Sequence, residues 1–140
     1  MTFVVDASVV IKWFVQENLY EQALDLLDRQ VLLHAPDLIV SEITNVAWKK
    51  AIRSDIEWSQ AHEIASAIRK GVPALYPSVE LNERALAIAL ALGHPVYDCL
   101  YLACAEAVDG ILITADQRLR RVAQNTPFDA LVQYLAGARP

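Results

Sequence analysis

Four carboxylates in this chain of 140 residues stand at positions where chemistry is feasible: Asp6, Glu42, Asp98 and Asp116. Asp6 ends the apolar run Phe3-Val4-Val5, and Asp116 follows Leu112-Ile113-Thr114. Both runs read as buried strands, so both acids fall at strand carboxyl ends, the edge at which open α/β sheets hold ligands. Glu42 and Asp98 fall near the starts of helices that leave the same edge. Two carboxylates within about 4 Å repel by ~4 kcal/mol at an effective dielectric near 20, so several stay ionised together only beside a cation. Oxygen donors without a Cys/His cluster favour Mg²⁺ or Mn²⁺ over zinc, and His34, His62 and His94 show no ligand spacing. Such an ion acidifies bound water and braces a phosphodiester for in-line attack, which makes nucleic-acid hydrolysis the natural use. Each acid alone has a plain structural role open to it. Asp6 and Asp116 suit helix N-caps, Glu42 a solvated helix face, and Asp98 the first turn of a helix dipole. The set of four, at comparable places in the pattern, is what points to a metal.

The elements that must position these acids follow from periodicity. Phe3 to Val5 is unalternating and strand-forming, as in a parallel sheet covered on both faces. A short helix is expected over Ala7 to Phe14, capped by Asp6 or Ser8. A second is expected over Leu19 to Arg29, opened by Asn18 and Glu21, with Ala23, Leu24 and Leu27 on one face. Val31 to His34 reads as a strand, and Pro36 as the proline that launches a helix over Asp37 to Arg53. On that helix Ile39, Ile43, Val46, Ala47 and Ala51 form an apolar stripe. Lys49 and Arg53 project within about 20° of Glu42, rising ~10 and ~16 Å above it, a track suited to a phosphate backbone.

Ser54 and Glu57 match a capping box for a helix over Asp55 to Lys70, with Trp58, Ala61, Ile64, Ala65 and Ile68 facing inward, and the two helices are expected to form a hairpin. A short strand at Ala74 to Tyr76, a buried helix from Ser78 to Leu92 and a helix over Val96 to Val108 follow. Gly110 to Ile113 is the fourth strand, a helix with Leu119 and Val122 comes after Asp116, and Leu131 to Leu135 is a final edge strand. Gly137 to Pro140 is expected to fray. Strands separated by helices imply crossovers and a three-layer α/β/α sandwich around a central parallel sheet, in one domain over residues 1–140.

Composition narrows the class. With tyrosine omitted and glycine counted, about 54% of residues are apolar against a usual ~45–50%, a surplus that hints at a surface covered by a partner. The net charge of −5 argues against a nonspecific polycationic nucleic-acid binder and is compatible with a clustered acidic site. Cys99 and Cys104 point to different sides of one helix and read as small buried hydrophobes, which fits a reducing compartment. The N-terminus has no signal-peptide pattern, and the longest apolar stretch is far short of the ~20 residues of a membrane span, so a cytoplasmic location is expected.

The stretches Val4-Val5-Asp6-Ala7-Ser8, Ser41-Glu42, Tyr97-Asp98-Cys99-Leu100-Tyr101-Leu102-Ala103 and Leu112-Ile113-Thr114-Ala115-Asp116 resemble, in order and spacing, the motifs of PIN-domain ribonucleases. Chain length adds a resemblance to the VapC toxins of toxin–antitoxin pairs. The resemblance implies a parallel sheet flanked by helices, Mg²⁺- or Mn²⁺-dependent cleavage of RNA, a homodimer, and inhibition by a cognate antitoxin. Carried onto this chain it makes Asp6 and Asp98 direct metal ligands, with Glu42 and Asp116 serving a second ion or holding its waters. Ser8 and Thr114 become hydroxyls that orient those acids. Cys99 departs from the pattern, where alanine is more usual.

Other residues carry less. Lys12, Lys49 and Arg53 are candidate phosphate contacts, with Arg118, Arg120 and Arg121 comparable, although charged helix faces are usually just solvated. Trp13, Phe14 and Trp48 suit stacking on bases or filling a partner's groove, but such side chains more commonly pack in cores. His94 reads as a loop histidine without a catalytic duty. Two other readings are weighed against the nuclease. An aspartyl-phosphate phosphotransferase usually has a second aspartate where Ser8 stands, and a catalytically degenerate PIN module that only binds protein or RNA has no use for a complete acidic set.

Overall fold

A computed structural model describes residues 2–137. Its five strands are β1 (Phe3–Val5), β2 (Leu33–Pro36), β3 (Ala74–Tyr76), β4 (Ile111–Thr114) and β5 (Val132–Tyr134). The helices are α1 (Ala7–Val10), α2 (Tyr20–Asp28), α3 (Leu38–Ile52), α4 (Trp58–Gly71), α5 (Asn82–Leu92), α6 (Val96–Ala107) and α7 (Gln117–Ala123). All strand pairs are parallel, in the order β3-β2-β1-β4-β5. The three-layer α/β/α sandwich expected from the alternation of strands and helices is the observed architecture.

β1 lies at the centre because it has no face to give to water: Phe3, Val4 and Val5 are all buried, and the strand pairs with β2 on one side and β4 on the other. The chain lays strands outward from β1 to β3, then returns to the other side of β1 for β4 and β5. Strand order therefore reverses between β1 and β4, and the crevice of a parallel sheet opens at the carboxyl ends of such a pair. Val5 is in register with Ile113, so Asp6 and Thr114, each the next residue, emerge side by side at that point. α6 packs under the sheet against β1, β2 and β4, and α5 packs on α6. Cys99 to Ala105 are buried without interruption, which makes α6 the core helix.

Several local expectations give way to tertiary contacts. The first helix stops at Val10 and tightens into a 3₁₀ turn over Ile11–Trp13, which seats the Trp13 indole where its Nε1 donates to the carbonyl of Ala23 at 2.9 Å. Asn18 does not cap α2; Leu19, with φ of 68°, precedes it instead, and Ala23 and Leu26 are its buried residues while Leu24 is exposed. β2 lies two residues later than expected, and Pro36 ends the strand rather than opening α3. Pro36 lies beyond His34, the last residue of β2 paired with β1, and stands opposite Tyr76 of β3, so its missing N–H leaves no gap in the β1–β2 ladder.

Ser54 and Glu57 form no capping box, since Ser54 takes φ of 63° and Glu57 makes no side-chain cap bond. Trp58, expected inside, is 70% exposed. Ser78 begins a 3₁₀ turn, and its hydroxyl donates to Asp37 Oδ1 at 2.6 Å, tying the end of β3 to the start of α3. α5 buries Ala85, Ile88 and Ala89 but leaves Leu86 and Leu90 in water, so it is covered on one side only. α3 and α4 pack as the expected hairpin, with Ile39, Ile43, Ala47 and Ala51 buried. The expected fraying at the C-terminus falls on 138–140, outside the described residues, while Leu135–Gly137 form a 3₁₀ turn.

Candidate functional site

Asp6 is the innermost of the acids. As the N-cap of α1 it accepts from the Val9 backbone N–H, and it is also gripped by two hydroxyls. Ser8 Oγ donates to Oδ1 at 2.5 Å, and Thr114 Oγ1 donates to Oδ2 at 2.5 Å. Thr114 Oγ1 accepts in turn from the Asp116 N–H at 3.0 Å, and Ser8 Oγ from the Ala115 N–H at 2.9 Å. The two hydroxyls thus lock the end of β1 to the turn after β4, with Asp6 between them. Burial, with a smaller contribution from the neighbouring charge of Asp98, raises the Asp6 carboxyl from 3.8 to about 6 despite the donors that favour its charged form.

Glu42 and Asp98 reach the same place from α3 and α6. Tyr101 Oη donates to Glu42 Oε1 at 2.5 Å, and His94 Nε2 stands 2.6 Å from Asp98 Oδ2. The Glu42 carboxyl is also held above its ordinary range, by burial first and then by Asp98, with the Tyr101 bond opposing. Asp98 therefore lies close enough to raise both Asp6 and Glu42, and it is the charge common to the two. Tyr101 lies among all three, and burial together with their negative field pushes its phenol far above its ordinary value, so it stays protonated.

Asp116 is placed differently. Its Oδ1 accepts from the Arg118 and Leu119 N–H groups at 2.9 and 3.4 Å, which makes it the N-cap of α7. Its link to the other acids runs through its backbone bond to Thr114.

The chemistry of the donor set favours one kind of ion over another. Among the described residues no three His, Cys, Asp or Glu side chains form a ready-made metal cage. Zinc and calcium sites built by protein alone need such a cage, whereas Mg²⁺ keeps several waters and takes one or two carboxylates. A cluster of oxygen donors in which one oxygen of Glu42 and one of Asp98 are already held by protein donors fits the second kind of ion. The raised carboxyls carry the same message, because a cation beside them would restore their charged form.

Two residues that touch the acids were given no part in the site by the sequence: Tyr101, present only within its motif, and His94, read as a loop histidine without a catalytic duty. Tyr101 follows Asp98 by three and His94 precedes it by four, spacings that place side chains on one helical face. Spacing alone does not say that Tyr101 meets Glu42, which is 59 positions away. Gly93, at φ of 64°, ends α5 in the left-handed region, and the turn it makes with Pro95 delivers His94 to the start of α6. Both cysteines are free and buried, their thiols pushed up to about 11 for Cys99 and about 12 for Cys104 by burial.

Of the candidate phosphate contacts, Lys49 and Arg53 are exposed on and just after α3. Lys12 is engaged: its Nζ lies 3.0 Å from Glu17, which also pairs with Lys50 at 3.1 Å. Arg120 pairs with Asp129 at 2.8 Å. Trp13 and Phe14 are half-buried against the core. Trp48, by contrast, forms part of an apolar groove of about 280 Å³ between α3 and α4, with Ala47, Ala51 and Ala65 along its floor and Trp48, Ile52 and Trp58 at its sides. No single helix among the described residues is long and apolar enough to cross a membrane; α5 and α6 together pass on length and composition but are bent by 116°.

Comparison with known proteins gives a consistent picture. The sequence profile of the PIN domain matches residues 3–125. Ribonuclease VapC3 of Pyrobaculum aerophilum is 35% identical over 121 residues, 85% of this chain and 92% of that protein. Ribonuclease VapC9 of Mycobacterium tuberculosis is 33% identical over 121 residues, 86% of this chain and 91% of its own length. In fold, the chain is similar to a structure described as a toxin–antitoxin complex from Klebsiella pneumoniae, with a TM-score of 0.70 at 16% identity, covering 96% of this chain and 98% of that one.

Proposed function

This chain belongs to the PIN domain family, and on that premise we propose that it is an endoribonuclease, the toxin of a toxin–antitoxin pair, dependent on Mg²⁺ or Mn²⁺. The observation that carries this reading is the meeting of Asp6, Glu42 and Asp98 from three separate elements at the point where strand order reverses, with two of the three carboxyls raised by burial and by a shared neighbour. Asp6 and Asp98 would hold the ion, Glu42 would complete its surroundings or orient its waters, and Asp116 would act from the rim, where it also caps α7. When bound, such an ion supplies positive charge to a phosphodiester and acidifies water at neutral pH. The protein's own part is to keep these carboxylates pointed inward against their repulsion. Ser8 and Thr114 do this for Asp6, and the exposed Lys49 and Arg53 offer charge to the phosphates of an RNA strand. Lys12, largely covered and already paired, offers less.

A degenerate module that only binds protein or RNA has little support, because the acids are all present and Asp6, Glu42 and Asp98 are each held by a donor of their own. The test is direct. Purified protein incubated with RNA and Mn²⁺ or Mg²⁺ should cleave it, and EDTA or Asp98→Asn should abolish cleavage; cutting that survives both would reject the mechanism.

The cognate antitoxin belongs to the same proposal. The groove between α3 and α4 is an apolar surface suited to it, since alanines line it and two exposed tryptophans flank it. Such a surface takes the apolar face of a helix or strand. We also propose a homodimer, for which the exposed Leu86 and Leu90 of α5 are available, and light scattering reads its mass. Reduced, buried thiols fit a cytoplasmic location.

A further inference from the structure

We infer that Tyr101 and His94 are positioning residues that hold one oxygen of Glu42 and one of Asp98, leaving Glu42 Oε2 and Asp98 Oδ1 for a divalent cation and its waters. The inference rests on the metal-dependent reading above and concerns which of this chain's residues make that site rigid.

Tyr101 occupies a core position, 1% exposed, on a helix otherwise buried through Leu, Ala and Cys. Phenylalanine would fill that space equally well, and a buried hydroxyl costs stability unless it is paired. Its hydrogen bond is to Glu42 Oε1, across from α6 to α3. His94 is similar: its side chain is 3% exposed, and its ring nitrogen meets Asp98 Oδ2. A carboxylate that is to hold a cation only accepts, so in that state Nε2 would be the donor. Asp98 and Tyr101 lie three apart on one face of α6, and the Gly93 turn brings His94 onto the same face. One helix and the turn before it therefore present one acid and clamp a second, fixing the direction of two carboxylates that repel each other. Partners of this kind typically change metal affinity by about 10- to 100-fold when removed.

The experiment uses Tyr101→Phe, His94→Leu and His94→Gln in the full chain. Mn²⁺ affinity is measured by titration against the spin-resonance signal of the free ion, with melting temperature followed separately. Tyr101→Phe and His94→Leu should each weaken Mn²⁺ binding by about tenfold or more. Both should lower kcat on RNA while leaving KM little changed. His94→Gln, whose amide N–H can stand where imidazole Nε2–H stood, should recover most of the affinity that His94→Leu loses. Mn²⁺ affinity within about twofold of wild type in both variants, whatever happens to stability, would overturn the inference and leave the nuclease reading standing. A wild-type protein that binds no Mn²⁺ would remove the metal reading and this inference with it. Should Tyr101→Phe fail to fold, the contrast between His94→Leu and His94→Gln decides.

Discussion

Replacing Asp6 by asparagine should make the metal-free protein more stable, the opposite of what most buried substitutions do. The Asp6 carboxyl is raised from 3.8 to about 6, chiefly by burial. Between those two values the folded state keeps a proton that the unfolded state has released, so stability falls as pH rises through this window and the loss is complete above it. At 1.36 kcal/mol for each pH unit of displacement, the cost at pH 7 is about 3 kcal/mol. Asparagine carries no charge to desolvate. Its carbonyl can keep the bonds from Ser8 and Val9, but its amide faces Thr114, whose hydroxyl must turn from donating to accepting, at a cost of about 1 kcal/mol.

A net gain of about 2 kcal/mol corresponds to a rise in melting temperature of roughly 8 °C for a domain of this size. Thermal and urea melts in EDTA at pH 7 should show it, and at pH 4 the difference should nearly vanish. With Mn²⁺ at about a hundred times its dissociation constant the wild type should gain about 2.7 kcal/mol, and Asp6→Asn much less, so the two should come level or exchange order. A variant no more stable than wild type at pH 7 in EDTA, or a gap that does not change with pH, would refute the reasoning about this carboxylate.

Other perturbations address the scaffold and the two surfaces. Gly71→Ala should destabilise by about 1–3 kcal/mol in chemical denaturation, because a Cβ there would stand 2.5 Å from the Trp13 ring. Glu17 is held below its ordinary carboxyl value, Lys12 and Lys50 outweighing the opposing effect of burial. Glu17→Gln should therefore cost about 1 kcal/mol above pH 4.5, and that difference should disappear as pH falls through the depressed value; a constant difference would remove the two lysines as its cause. Trp58→Asp should weaken capture by the cognate antitoxin at least about tenfold in calorimetry while leaving Mn²⁺ binding intact, and unchanged capture would move the antitoxin to another face. Lys49→Glu should weaken binding of single-stranded RNA and make it less salt-dependent, whereas unchanged RNA affinity would discard the track above Glu42.

The order of strands and helices was legible because each segment carries its own periodicity: Phe3 to Val5 has no polar side to expose, and Ile39, Ile43, Ala47 and Ala51 recur at helical spacing. The four acids stand out in the sequence because each lies near where such a segment ends or begins. What failed was finer and also local in form. Asn18 with Glu21 and Ser54 with Glu57 look like helix starts, yet neither pair caps, because where the chain turns was set by packing, as Trp13 seated on Gly71 illustrates. Trp58 was placed inside by its spacing, but the hairpin of α3 and α4 has only one covered side.

The site itself was decided by tertiary structure. That Asp6 stands beside Thr114 follows from the register of β1 on β4, and that Glu42 meets Tyr101 follows from where the sheet holds α3, packed on β2, relative to α6, packed on β1, β2 and β4. Helical and strand periods are short-range and survive in a single sequence. The contacts that separate three converging acids from Asp116 join positions far apart in the chain, through a sheet order that no local pattern encodes.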